Sequence, residues 1–182
     1  MIDRYKFKFT MLQQEILKFL FRNVGKSFNA RDLARALNVS QTAIGKSLSK
    51  LKEEKLIRVS KDKNSGRLSI ELERENSKVI LLKRAENLRA IYESGIADYL
   101  EEKFPGSVII LFGSYSFGED TVNSDIDVAV IGSKDKKISL EKYEKFLEKK
   151  INVNVYSSFK AIHKNLRDNI LNGIVLVGRI ET

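Results

Sequence analysis

Two short, unbroken apolar runs, SVIILF from Ser107 to Phe112 and VAVI from Val128 to Ile131, have the length and composition of buried strands. The segment between them opens on Gly113-Ser114 and closes on Asp125-Ile126-Asp127, with ten residues separating Ser114 from Asp125. Alternate residues of a strand share a side, so Asp125 and Asp127 project together while Ile126 and Val128 enter the core. Two carboxylates so close repel by about 1 kcal/mol in water and by about 4 kcal/mol at a protein-like effective dielectric. A divalent cation reverses that cost, and hard oxygen ligands with no His or Cys nearby favour Mg2+ or Mn2+ over zinc. Gly113 lets the backbone approach a ligand closely. Ser114 offers its hydroxyl and amide to phosphate at the start of a helix, and Ser124, beside the acidic pair, is a further nucleotide-binding candidate.

Charge divides the 182 residues unevenly. Up to Asn76 there are 17 Lys and Arg against 9 Asp and Glu, and beyond it 16 against 15. Positive charge confined to one segment points to a polyanion partner for that segment. The absence of cysteine excludes disulfides and thiolate metal sites, and a single histidine argues against a zinc site. No apolar run reaches the roughly 18 residues of a membrane span, and MIDRYKFKFT lacks the apolar core of a signal peptide. A soluble, unprocessed cytoplasmic protein without membrane contact is expected.

In the basic segment, Thr10 and Gln13 form a capping box before a helix carrying Leu12, Ile16, Phe19 and Leu20, which ends near Gly25. Asn29 with Asp32 starts a second helix bearing Leu33, Ala36 and Leu37, closed by Asn38. Ser40 caps a third, which buries Ile44, Leu48 and Leu51 and turns Gln41, Thr42, Gly45, Lys46, Ser49 and Lys52 to solvent. LIRVS, the turn KDKNSG and RLSIELE then read as a β-hairpin.

Three helices and a basic-tipped hairpin over about 70 residues resemble the winged helix-turn-helix family of DNA-binding domains. The resemblance implies a third helix in the major groove of double-stranded DNA. Ser40, Gln41, Thr42 and Lys46 would meet bases and phosphates there, while Lys61, Lys63 and Arg67 hold the wing on the backbone. Winged-helix regulators are often homodimers, a state the apolar pattern here does not prove.

From Ser77 to Phe104, helical spacing runs through Leu81, Ala85, Leu88, Tyr92, Ile96 and Tyr99, with a break at Gly95. The segment reads as a packed helix joining two domains rather than a tether. Further on, KDKKISLEKYEKFLEKK reads as a solvated helix burying Leu140, Tyr143 and Leu147. The stretch around His163 has Phe159, Ile162, Leu166 and Ile170 as its core positions, leaving the histidine at the surface.

A Gly-Ser phosphate holder facing a strand-borne Asp pair resembles the nucleotidyltransferase superfamily of DNA polymerase beta, most closely its minimal members. The likeness covers Ser107 to about Gly178. In SYSFGE, Phe117 stands where the family often has Arg, while Gly118 and Glu119 remain; NILNGIVLVG resembles the closing helix, glycine and strand. The expected fold class is therefore mixed α/β (α+β). It comprises a winged helix-turn-helix domain over 1–76, a connecting helix over 77–104 and a nucleotidyltransferase-fold domain with a mixed β-sheet over 105–182.

The resemblance implies that Asp125 and Asp127 hold Mg2+ or Mn2+ against a nucleoside triphosphate, ATP first among candidates. An acceptor hydroxyl would attack the α-phosphorus and pyrophosphate would leave. Active relatives carry a third carboxylate on a later strand, here INVNVY, Ile151 to Tyr156. Asn154, with Asn152 as the alternate register, occupies that place, unless Glu148 or Asp168 moves in. Asparagine coordinates weakly through its carbonyl and accepts no proton at neutral pH.

Three functions follow as expectations. One is a DNA-binding nucleotidyltransferase acting on a protein, RNA or small molecule. Another is a transcriptional regulator whose degenerate transferase domain only senses nucleotide. The third is an antitoxin-like repressor holding a toxin-like protein partner, since minimal members often act on a toxin encoded alongside.

Overall fold

The computed structural model describes residues 9–61 and 68–180. Two compact units divide between Val79 and Ile80. The fold is mixed α and β, as expected, with a two-stranded sheet in the first unit and a mixed four-stranded sheet in the second.

The first unit begins with α1 (Met11–Arg22), capped by the Thr10–Gln13 box. α2 (Ala30–Ala36) starts at the Asn29–Asp32 box, and α3 (Gln41–Glu53) at Ser40, whose hydroxyl accepts from the Ala43 amide at 3.1 Å. Caps of this kind satisfy amides that the first helical turn leaves unpaired. Ile16, Leu20, Leu33, Ile44 and Leu51 are almost fully buried between the helices. Gln13 is buried with them and donates to the Ser47 carbonyl at 3.3 Å, tying α1 to α3. β1 (Ile57–Lys61) and β2 (Leu68–Leu72) pair antiparallel, with Ile70 and Leu72 inward and Leu68 45% exposed. Phe28 adds a bridge to Ile70. The expected turn KDKNSG lies, apart from Lys61, outside the described residues.

The segment after Asn76 folds as α4 (Ser77–Ser94), a left-handed residue at Gly95, and α5 (Ile96–Lys103). The break falls where expected, but the buried face of α4 does not. Leu81 is 63% exposed and Tyr92 50%, and Ala85 is exposed too, whereas Val79, Lys83, Asn87 and Ile91 point inward. A hydrophobic periodicity misplaces this helix because two of its four inward positions are polar.

In the second unit the strand order is β5-β4-β3-β6. β3 (Val108–Phe112) lies antiparallel to β4 (Ile126–Ile131) and to β6 (Ile174–Val177), and β4 runs parallel to β5 (Ile151–Tyr156). One sheet face carries Ile109, Leu111, Val128 and Val130 against Ile91, Ile96 and Leu100 of α4 and α5, with Tyr143 of α7 (Glu141–Leu147). The other carries Ile110, Phe112, Ala129 and Ile131 against Ile162 and Ile170, the latter from α8 (Lys164–Leu171). Burying side chains of this size stabilises by about 1.5–3 kcal/mol each.

Between β3 and β4 stands the short α6 (Gly113–Phe117), closed by Gly118 at φ 78°. A Cβ at Gly118 would lie 2.4 Å from the Ile80 carbonyl oxygen and 2.8 Å from the Arg84 amide nitrogen. Both are backbone atoms of α4 and cannot swing aside. Gly118→Ala is therefore expected to combine left-handed strain with overpacking and destabilise by about 2–4 kcal/mol. A urea titration read by circular dichroism tests this; an unchanged midpoint refutes the close approach.

Candidate functional site

The site grows from the junction of β3, α6 and β4. Phe112 is the register partner of Asp127, so Gly113 stands beside the Asp127 carboxylate. Gly113 has φ 72°, and a Cβ there would lie 2.8 Å from Asp127 Oδ2. Glycine is required twice over: for the left-handed turn and for room beside the carboxylate. Ser114 follows in the first turn of α6, and Ser116 closes the turn by donating to the Gly113 carbonyl at 2.8 Å.

Asp125 is exposed and Asp127 half-buried, while Ile126 and Val128 are fully buried, the alternation that the strand period demands. Ser124 has a structural role that its sequence reading did not include. Its hydroxyl accepts from the Thr121 amide at 2.9 Å and lies 3.3 Å from the Thr121 hydroxyl. It thereby closes the turn that delivers Asp125.

At the third position the structure selects the alternate register, Asn152 instead of Asn154. In the parallel β4–β5 register Asp127 pairs with Asn152, and Asn154 pairs with Ala129. Asn152 Nδ2 donates to Asp127 Oδ1 at 3.1 Å and approaches Asp125 Oδ2 at 3.4 Å. Asn154 is two residues too far along β5 to join the acidic pair. Among the described residues no cluster of three His, Cys, Asp or Glu side chains is arranged to hold a metal. Neither Glu148 nor Asp168 thus completes the acidic pair. Glu148 lines a groove with Glu141, Glu144 and Lys149 instead.

Sequence reasoning missed the support beneath the site. Lys149 Nζ donates to the carbonyls of Thr121 at 2.6 Å and Ser124 at 3.0 Å, fastening the residues before Asp125. Its signal in the sequence is indistinguishable from that of its lysine-rich neighbours. Glu144 fixes the start of β5, accepting from the Ile151 amide and from Lys150 Nζ, both at 3.1 Å.

In the first unit Ser40 caps α3, and Gln41, Thr42 and Lys46 are exposed on the first turns of that helix. Lys61 is exposed at the end of β1. Lys63 and Arg67 lie outside the described residues. No described helix is long and apolar enough to cross a membrane.

Residues 93–177 match the family model for a nucleotidyltransferase domain, and residues 12–66 match that for an HTH domain. The chain joins a helix-turn-helix domain to a nucleotidyltransferase domain. No curated protein matches it. Similar solved structures include the adhesin competence repressor AdcR of Streptococcus pyogenes, 24% identical with a TM-score of 0.41 over 53% of this chain and 69% of that one. Another is a variant of ZitR from Lactococcus lactis, 26% identical with a TM-score of 0.39 over 56% of this chain and 66% of that one.

The Ile151 amide, and secondarily Lys150, hold the Glu144 carboxyl below its ordinary range. A carboxyl whose folded pKa is depressed stabilises above its unfolded pKa, and that contribution disappears as pH falls through the folded value. Glu144→Ala should therefore melt below wild type at pH 7, and the gap should close at pH values under the depressed carboxyl range. Thermal melts from pH 7 to pH 3 check this; a gap independent of pH counts against the Ile151 contact as its source.

Proposed function

We propose that this is a DNA-binding protein whose nucleotidyltransferase domain binds a nucleoside triphosphate with one divalent cation and transfers nucleotide poorly or not at all. The observation that carries the reading is Asn152, an amide hydrogen-bonded to Asp127 and close to Asp125 in the place of a third acid. The donor set suits one hard cation: the two carboxylates of Asp125 and Asp127, with Gly113 leaving room beside Asp127. Asp125 and Asp127 would hold Mg2+ or Mn2+, which when bound would neutralise charge on the triphosphate. Gly113 and Ser114 would meet the phosphates, with ATP the first nucleotide to try.

Asn152 donates where a general base would accept. It leaves the acceptor hydroxyl without that base, a loss of about 10² to 10⁴ in rate. Its amide also eases the repulsion between the two carboxylates. Asn152→Asp should restore the base and sharpen the repulsion, which at about 4 Å is worth about 1–4 kcal/mol. We expect this variant to unfold earlier than wild type without metal, to recover with Mn2+, and to transfer α-labelled nucleotide to an acceptor in source-cell lysate. Wild type should bind ATP with Mn2+ but transfer at least about 10²-fold more slowly. Asp125→Asn should lose binding. Transfer by wild type at the variant's rate would replace this reading with that of an active transferase.

For the first unit, charge carries the reading: 17 Lys and Arg stand against 9 Asp and Glu up to Asn76, and Lys46 on α3 and Lys61 at the end of β1 are exposed. Each lysine that neutralises a phosphate adds about one to the slope of log affinity against log salt. Lys46→Ala and Lys61→Ala should each lower that slope by about one on random-sequence duplex DNA, measured by anisotropy between about 50 and 200 mM salt. Unchanged slopes would remove both residues from the interface.

A further inference from the structure

All but the last two residues of α4 precede residues 93–177, the span matched as a nucleotidyltransferase domain, yet the helix holds the loop on which the acidic pair depends. Asp120 and Lys83 are each 2% exposed and form a buried ion pair. Lys83 Nζ also donates to the Asp120 carbonyl at 2.9 Å. Asn87, one turn along α4, donates to Asp120 Oδ1 at 2.7 Å and to the Tyr115 carbonyl in α6 at 2.9 Å. Lys149 stands 3.5 Å from Asp120 Oδ2 while binding the carbonyls of Thr121 and Ser124. The chain from Tyr115 to Ser124 is thus pinned to α4 at one end and to the start of β5 at the other.

A buried ion pair seldom stabilises more than apolar side chains of the same volume would. What it supplies, once every partner is fixed, is orientation. Gly118 presses on the α4 backbone at Ile80 and Arg84, so the same helical turns seat both the end of α6 and the loop after it.

We propose that Lys83 and Asn87, acting through Asp120, are positioning residues for Asp125 and Asp127, and that α4 is a working part of the transferase site. The proposal rests on the reading of that pair as the metal-nucleotide carboxylates. Neither residue would touch the ligand; each would act by fixing the loop that presents it.

The test compares full-length wild type with Lys83→Met, Asp120→Asn and the apolar double variant Lys83→Met/Asp120→Leu. Three readouts are taken: the unfolding midpoint, amide hydrogen exchange over 118–127 without metal, and Mn2+ affinity with ATP by electron paramagnetic resonance. Lys83→Met and Asp120→Asn should lower the midpoint, speed exchange across the loop, and weaken Mn2+ binding by about tenfold or more. The double variant removes both charges and should recover much of the midpoint while exchange stays fast and Mn2+ binding stays weak.

Wild-type protection and affinity in the double variant would reduce the network to a structural role and overturn the proposal. Should Lys83→Met fail to fold, Asp120→Asn and the double variant decide the matter. If wild type binds no Mn2+ with ATP, the metal reading fails on its own, while hydrogen exchange still decides whether Lys83 and Asp120 order the loop.

Discussion

Asp125 and Asp127 stand on one side of a strand whose other side is buried, and the surrounding structure answers their repulsion. β4 cannot slip by a residue to relieve it, because Ile126 and Val128 would leave the core. Gly113 has no side chain to press on Asp127, and Asn152 supplies an amide between the two acids. Beneath them, the turn closed by Ser124 and the Lys149 ammonium fixes where β4 begins. The acidic pair is thus accommodated by Gly113, Asn152, Ser124 and Lys149 together.

Elements whose period agrees with their burial were legible in the sequence. The capping boxes at Thr10 and Asn29, the inward set Ile44, Leu48 and Leu51, the strand from Ile151 to Tyr156 and the Gly95 break all stand where the pattern places them. α4 was misread for a definite reason. Its inward positions Val79, Lys83, Asn87 and Ile91 recur every four residues, but two are polar, and apolar Leu81 and Tyr92 on the opposite side draw the eye. A lysine becomes a credible interior residue only once its partner is known, and Asp120 lies 37 positions further along the chain.

The third position shows a different limit. Asn152 and Asn154 share one face of β5, so period alone cannot rank them. The decision belongs to the β4–β5 register, set by Ile126 donating its amide to the Lys150 carbonyl at 2.8 Å and by Glu144 holding the Ile151 amide. That register is a tertiary property. It brings Asn152, not Asn154, to the acids, and the chemistry open to the site follows from that two-residue offset along the strand.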